Sequence, residues 1–151
     1  MSDLPTTVVR SSVFLIAVSF AACTLSVKPV YNDQEQAKAE RAVAQFHELH
    51  NAENFKGLYK LLDDGARQNI SEEEFLAAAK QTYEKWGKVK SATLREAKVF
   101  PRPVVQVKMI YNVHFEKGDA QEWFTWNIHG DKALLLQYQN HPGFDTPDSQ
   151  E

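Results

Sequence analysis

The sequence predicts an α+β domain in which three N-terminal helices pack on one face of a four-stranded antiparallel sheet. Apolar side chains recur at helical spacing in three segments between residues 34 and 86, and β-branched and aromatic runs separated by turn residues follow them. Helices and strands that are segregated along the chain are typical of α+β folds. The net charge of −3 and the single cysteine exclude a basic nucleic-acid-binding surface and an intrachain disulfide framework.

Residues 1–22 have the features of an export signal. Arg10 precedes an apolar run, Val13–Ala22, that is broken only by Ser19. The run is too short to cross a bilayer, which takes about 20 residues, and it has the length of a signal-peptide core. We therefore expect the chain to be exported.

The signal ends at Ala21-Ala22-Cys23, which resembles the lipobox of bacterial lipoproteins. The resemblance implies cleavage before Cys23 and a diacylglycerol on its sulfur, as part of a lipid anchor of the palmitate type. Thr24 follows the cysteine in place of Asp, and by resemblance to enterobacterial sorting this implies the outer membrane, with the domain facing the periplasm. A general secretory signal with an incidental cysteine is the alternative.

The rest of the chain divides into a linker, one domain and a tail. Residues 23–33 show little periodicity, so we interpret them as the lipidated N-terminus and its linker. Residues 34–140 form the α+β domain, which is close to the usual size of a single domain. Residues 141–151 are acidic and polar, and this composition predicts a disordered tail.

Three helices are predicted at the start of the domain. The first covers Gln34–His50, and the second covers residues 55–62 and ends at an Asp-Asp-Gly sequence. The third begins after Ser71, which forms a capping box with Glu74, and it ends before Gly87, a residue suited to a helix C-terminus.

Four strands are predicted after the helices: roughly Val89–Phe100, Val104–Phe115, Gln121–His129 and Ala133–Gln139. Successive side chains of a strand point to opposite faces of the sheet. The inner face therefore receives the odd-numbered apolar residues of the second strand, from Val105 to Phe115, and the even-numbered Phe124, Trp126 and Ile128 of the third.

A Gly-Asp turn at Gly118-Asp119 fixes the pairing of the second and third strands. It places apolar residues opposite each other: Met109 with Ile128, Tyr111 with Trp126 and Val113 with Phe124.

The last strand has two alternatives. A three-residue loop with a bulge turns Leu134, Leu136 and Tyr138 inward, and we favour it because it buries more apolar surface. A two-residue turn at Gly130-Asp131 turns Leu135 inward instead.

The first strand also has two alternatives. Pairing Val99 with Val105 turns Thr93 and Arg95 inward, whereas a shift of one residue makes Leu94 the core residue and leaves Arg95 in solvent.

The order of these motifs resembles a known superfamily. The matching segments are Asn54-Phe55-Lys56-Gly57-Leu58-Tyr59, Ile70-Ser71-Glu72 at a helix start, and Trp86-Gly87-Lys88-Val89 leading into the strands. This layout, over roughly residues 34–139, resembles small bacterial proteins of the nuclear-transport-factor-2-like (cystatin-like) superfamily. The resemblance implies a curved sheet that encloses a cone with the helices, and such a cone is a ligand pocket, an active site or simply a core.

Two surfaces are candidate binding sites. On the inner face, a pocket for an anionic or polar ligand is formed if Arg95 points inward beside aromatic residues. Its candidate residues are Arg95, Tyr111, Trp126 and Tyr138. The outer face is polar and mostly uncharged with one exposed tryptophan, a residue typical of interface anchors. Its candidate residues are Trp123, His114, Asn112, Thr125 and Asn127.

Catalytic and metal chemistry are not expected. No Asp, Glu or His falls on the expected inner face, because Glu122 lies near a strand end and both His114 and His129 face outward. His47, His50 and Glu53 form a cluster on the first helix, which we interpret as a solvated face rather than a metal site. No cofactor is expected.

The sequence therefore indicates an exported, lipid-anchored domain of the cell envelope that binds rather than catalyses. Its expected partners are the membrane, through the lipid anchor, and an envelope protein or a second copy of the chain. A carrier that holds a small ligand in the cone is the alternative, and an enzyme that uses the cone as its active site is the weaker alternative.

Overall fold

The computed structural model describes residues 30–101 and 103–144 of the chain. Its elements are α1 Val30–Asn51, α2 Phe55–Lys60, α3 Asp64–Arg67, α4 Glu72–Trp86, β1 Val89–Phe100, β2 Gln106–Phe115, β3 Gly118–His129 and β4 Lys132–Pro142. The predicted export signal, the predicted lipidation site Cys23 and residues 145–151 of the predicted tail lie outside the described residues. Within the described ranges, none of the helices combines the length and the apolar character that a membrane crossing requires.

The helices differ from the prediction at two points. Helix α1 begins at Val30, so it includes the end of the segment that we interpreted as a linker. Helix α3 is an additional single turn where the Asp-Asp-Gly sequence was expected to end the second helix. The side chain of Asp63 accepts a hydrogen bond of 2.9 Å from the N–H of Gly65 and thereby caps this turn.

Helix α4 has the predicted ends. Ser71 accepts a hydrogen bond at Oγ from the N–H of Glu74, and its own N–H donates to Glu74 Oε2 at 3.0 Å, which completes the capping box. Gly87 follows the helix with φ of 73°, and a Cβ atom at this position would lie 2.6 Å from Glu116 Oε2. Both the backbone angle and the space thus require glycine.

The strands form one antiparallel sheet in the order β1-β2-β3-β4. This confirms the predicted α+β class with a four-stranded antiparallel sheet and with the helices N-terminal to it. The predicted faces of β2 and β3 are also observed, since Val107 and Met109 on β2 and Phe124 and Trp126 on β3 are almost fully buried.

The predicted register between β2 and β3 is wrong by four residues. Met109 pairs with Phe124 rather than Ile128, and Tyr111 pairs with Glu122 rather than Trp126. A slip by an even number of residues keeps every side chain on its own face, so alternation alone does not detect the error.

The turn of this hairpin lies at Glu116 and Lys117, two residues earlier than predicted. Gly118 begins β3 with φ of 151°, and a Cβ atom there would lie 3.4 Å from Cζ3 of Trp86. The N–H of Lys117 donates to the carbonyl oxygen of Trp86 at 3.0 Å. A Cβ would therefore make only an ordinary contact with Trp86, and it is the positive φ at Gly118 that favours glycine where the hairpin end meets the end of α4.

The turn between β3 and β4 is the two-residue turn at Gly130-Asp131, which was the alternative. Leu135 consequently faces inward and is 1% exposed, whereas Leu134 and Leu136 are only partly buried. A bulge at Leu136 then returns Tyr138 to the inner face, as predicted.

The register of β1 differs from both predicted arrangements near Val99, which pairs with Val107, two residues from the predicted Val105. A bulge at Arg95 reduces the shift to one residue, so that Leu94 pairs with Tyr111 and the alternative holds at this point. Leu94 packs against the core, and Arg95 is exposed. The expectation of an inward Arg95 is therefore wrong, because the bulge turns its side chain out.

The core lies between α1 and the inner face of the sheet. Phe46 on α1 is 4% exposed, and its ring centroid lies 5.3 Å from that of Phe124 and 5.0 Å from that of Tyr138. At the other end of the sheet, Trp86 packs on Phe115 at 5.6 Å. Aromatic contacts thus join both long helices to the sheet.

Truncation of Trp86 should cost far more stability than loss of the α4 cap. We expect Trp86→Ala to lower the free energy of unfolding by about 3–5 kcal/mol, because it removes a buried aromatic side chain and leaves a cavity. We expect Ser71→Ala to cost only about 1 kcal/mol, since it removes the side-chain cap of an exposed helix start. Urea unfolding of both variants measures the difference, and equal losses would contradict this placement of α4.

Candidate functional site

Three polar side chains meet beneath α1 on the inner face of the sheet. Glu122 on β3 is 1% exposed, and its Oε1 accepts a hydrogen bond of 2.6 Å from the hydroxyl of Tyr138 on β4. Its Oε2 lies 2.6 Å from Nε2 of His47 on α1. An ionised carboxylate only accepts hydrogen bonds, so the contact is a hydrogen bond to such a carboxylate in the His47 tautomer that has a proton on Nε2. We call these three residues the Glu122 cluster.

Burial raises the pKa values of the two tyrosines around this cluster. Burial, followed by the negative charge of Glu122, raises the pKa of Tyr138 well above its ordinary value of 10.0. Burial, followed by the charge of Glu40, raises the pKa of Tyr111 to about 12. Both hydroxyls are therefore protonated at neutral pH, and Tyr138 acts as a donor to the carboxylate.

The Glu122 cluster corrects the expectation that the inner face carries no Asp, Glu or His. The four-residue error in register placed Glu122 near a strand end, away from the centre of the face. One signal in the sequence does reveal it, because Glu122 has the same parity as Phe124 and Trp126. His47 directly follows the core residue Phe46, but its partner on β3 is 75 residues away in the chain.

A pocket of about 360 Å³ opens between α4 and β4. We call it the α4–β4 pocket. Most of its wall is apolar, with Phe46, Leu58, Phe75 and Leu135 among the lining side chains, and none of the described residues that line it is charged. Its size and apolar character are typical of sites for small molecules.

The Glu122 cluster reaches this pocket only through Tyr138. That residue lines the pocket, whereas Glu122 and His47 do not. A general base must come within hydrogen-bond distance of the substrate proton that it removes. The geometry of the cluster therefore suits a connection between α1, β3 and β4 better than acid–base chemistry on a bound molecule.

The four residues predicted to line an inner pocket do not come together. Arg95 is exposed on the β1 bulge, and Tyr111 is 8% exposed in the core. Trp126 is fully buried, and its Nε1 has no hydrogen-bond partner among the residues that the structure describes. Only Tyr138 lines the α4–β4 pocket.

The histidines of the predicted helical cluster have separate partners. His50 is 3% exposed, its Nε2 lies 2.9 Å from the carbonyl oxygen of Gly87, and its ring packs on Tyr83. His47 belongs to the Glu122 cluster, whereas Glu53 is exposed. The expectation of a solvated face is therefore wrong for both histidines, which connect α1 to the rest of the domain.

The outer face of the sheet carries a second concave surface. Trp123 is 40% exposed and stands beside a groove of about 400 Å³. We call this surface the Trp123 face. Besides Trp123, its groove is lined by side chains on all four strands: Glu96, Lys98, Lys108, Ile110, Thr125, Gln137 and Gln139.

Buried polar side chains fix the indole ring in place. Nε1 of Trp123 donates to Oε1 of Gln121 at 3.0 Å, and Nε2 of Gln121 donates to Oδ1 of Asn112 at 3.2 Å. Gln121 is 1% exposed. The predicted interface residue Asn112 is thus a support of Trp123, through Gln121.

The other predicted interface residues are either more buried than expected or already hydrogen-bonded to another side chain. Thr125 and Asn127 are 9% and 8% exposed, respectively, on the outer face of β3. His114 is exposed and lies 2.7 Å from Asp119, its partner in the sheet. The predicted register of β2 and β3 places Trp123 opposite His114, whereas Trp123 pairs with Ile110 in the observed register.

Comparison with known proteins supports the fold alone. The structure of Bdellovibrio bacteriovorus Bd1075 is similar to this chain with a TM-score of 0.53 and 13% sequence identity. The match covers 80% of this chain and 45% of the Bd1075 chain, so this chain spans less than half the length of that protein. The sequence matches no protein-family model and no curated protein.

The raised pKa values predict a loss of stability in alkali. Tyrosines of the unfolded chain ionise near their ordinary pKa of about 10, whereas Tyr111 and Tyr138 ionise only above it in the folded protein. Stability is therefore fully present below about pH 10 and falls as the pH rises toward the folded-state pKa values. Urea unfolding across this range should show a shallower fall for Tyr111→Phe than for the wild type. If the free energy of unfolding falls equally steeply with pH in both proteins, the raised pKa of Tyr111 is contradicted.

Proposed function

We propose that this chain is an exported domain, anchored by a lipid on Cys23 in the outer membrane, that binds an envelope component through the Trp123 face without catalysing a reaction. One observation carries the proposal: the exposed indole of Trp123 is hydrogen-bonded to the buried Gln121 beside a groove that is lined mainly by polar and charged residues. Exposed tryptophans are typical anchors of binding surfaces.

The interior of the domain supports binding over catalysis. Phe124 and Trp126 fill the inner face of the sheet, and they are 2% and 0% exposed. Glu122 and His47 lie under α1 and do not line the α4–β4 pocket. Tyr138 does line it, but its hydroxyl already donates to Glu122.

A substrate in the α4–β4 pocket would meet mainly apolar side chains and amides. The histidine that lines the pocket, His50, has its Nε2 bonded at 2.9 Å to the carbonyl oxygen of Gly87, and no carboxylate, lysine or cysteine lines it among the described residues.

A second candidate function is a carrier for a small apolar molecule. The observation that favours it is the α4–β4 pocket, since its described lining has no charged residue and its volume fits a small ligand. Asn69, Thr82 and Gln137 also line this pocket and supply hydrogen-bonding groups for one polar substituent of the ligand. This function requires no contribution from Trp123, and the two candidates are therefore separable by mutation.

Lipidation is tested at Cys23. Cells that express the wild type should incorporate a clickable palmitate analogue into the protein and retain it in the membrane fraction. Cys23→Ser should abolish the label and release the protein or leave its signal uncleaved, because no thiol remains for the diacylglycerol. Undiminished labelling of the variant would overturn the lipid anchor.

The Trp123 face is tested with Trp123→Ala. This change should alter the free energy of unfolding by no more than about 0.5–1 kcal/mol, as for other surface substitutions. It should nevertheless reduce the recovery of envelope components that are crosslinked to the wild type in cells.

Two control variants separate the candidate functions. Arg95→Ala changes an exposed side chain outside the groove and should leave the crosslinked material unchanged. Ala78→Phe places a ring at the α4–β4 pocket, where Ala78 is exposed. Loss of crosslinking in Ala78→Phe but not in Trp123→Ala would favour the carrier. Unfolding of Trp123→Ala would show that the face is buried in the working protein.

A further inference from the structure

The groove of the Trp123 face has the chemistry of a site for a charged sugar chain. Building on the function proposed above, we propose that its ligand is an acidic oligosaccharide, in which one ring stacks on Trp123 and a carboxylate approaches Lys108. The stacking surface, the hydrogen-bonding groups and the net charge of the groove each support this ligand.

The stacking surface is the indole of Trp123. Its Nε1 donates to Gln121 and its ring lies 5.0 Å from that of His141 between centroids, so the indole is restrained before a ligand binds and has less conformational freedom to lose. The face of an aromatic ring is electron-rich. The C–H groups of one side of a pyranose ring are weakly positive and flat enough to lie against it.

The hydrogen-bonding groups lie on the neighbouring strand. Gln137 and Gln139 line the groove, are exposed, and make no side-chain hydrogen bond to another described residue. Gln139 is the direct neighbour of Trp123 across β3 and β4. A primary amide offers two donors and one acceptor oxygen, which match the adjacent hydroxyl groups of a sugar.

The charge of the groove favours an acidic sugar. Lys98 and Glu96 line the groove and form an ion pair with each other. Lys108 forms no ion pair with a described residue, and its Nζ lies 5.3 Å from the ring centroid of Phe100. One positive charge thus remains at the groove for a carboxylate of the ligand.

The same surface fits a protein partner less well. The cores of protein interfaces are rich in apolar and aromatic side chains and poor in charged ones. Trp123 and Ile110 are the only apolar side chains that the groove presents on the outer face among the described residues, because Met109 and Phe124 belong to the inner face and are at most 2% exposed.

The experiment titrates the full-length protein, purified in detergent, with tetragalacturonate and with the neutral cellotetraose in a calorimeter. We expect tetragalacturonate to bind more tightly and to lose affinity as salt is added. Trp123→Ala should weaken its binding by about tenfold or more, and Trp123→Phe should restore part of the affinity. Lys108→Gln should remove the preference over cellotetraose, whereas Lys90→Gln, at an exposed site outside the groove, should keep it.

Each other outcome overturns the proposal at a defined point. If tetragalacturonate still binds to Trp123→Ala, the sugar lies elsewhere on the protein. If tetragalacturonate and cellotetraose bind equally well, the groove does not select acidic sugars. If neither probe binds, while Trp123→Ala still loses its crosslinked envelope components, the sugar proposal fails and a protein or a second copy of the chain occupies the face. If Trp123→Ala keeps those components as well, the proposed function fails with it.

Discussion

The structure depends on the burial of the inner sheet face under α1. The helix lays Ala39, Val43 and Phe46 against the sheet, and these residues are 0%, 2% and 4% exposed. Burial of apolar surface is the dominant favourable contribution to folding, and a single open sheet has no other way to cover its apolar face. Where α1 lies therefore determines which polar groups are enclosed and which surfaces remain open.

The Glu122 cluster is a direct consequence of this arrangement. A carboxylate enclosed beneath the helix is costly unless it is paired and hydrogen-bonded, and both of its oxygens have a partner at 2.6 Å. Because the two partners lie on α1 and β4, the cluster also fixes the helix relative to two strands. The buried Glu122 therefore holds α1 and β4 in place and is poorly placed to exchange protons with a ligand.

The open surfaces arise where helices leave the sheet uncovered. Helix α4 packs mainly on α2, through pairs such as Tyr59 with Phe75, and reaches the sheet at its C-terminal Trp86. The space between α4 and β4 remains as the α4–β4 pocket. On the outer face, the exposed indole of Trp123 is held by neighbours in the sheet: Gln121 accepts its hydrogen bond, and the ring of His141 lies 5.0 Å away between centroids. The α4–β4 pocket and the groove of the Trp123 face are thus two concave regions that the packing of the described helices leaves uncovered.

The sequence by itself determined that three longer helices precede four strands, although not the single turn α3, together with the capped ends of α4 and the inner and outer faces of the central strands. These features depend on local patterns, because helix spacing, strand alternation and end caps involve residues a few positions apart. Tertiary structure decided the register of the strands and the bulge that turns Arg95 outward. It also decided the enclosure of Glu122, whose partner His47 is 75 residues away. Registers that differ by two or four residues keep the same alternation, so only the packing of Trp86 against Gly118 and of α1 across the sheet distinguishes them.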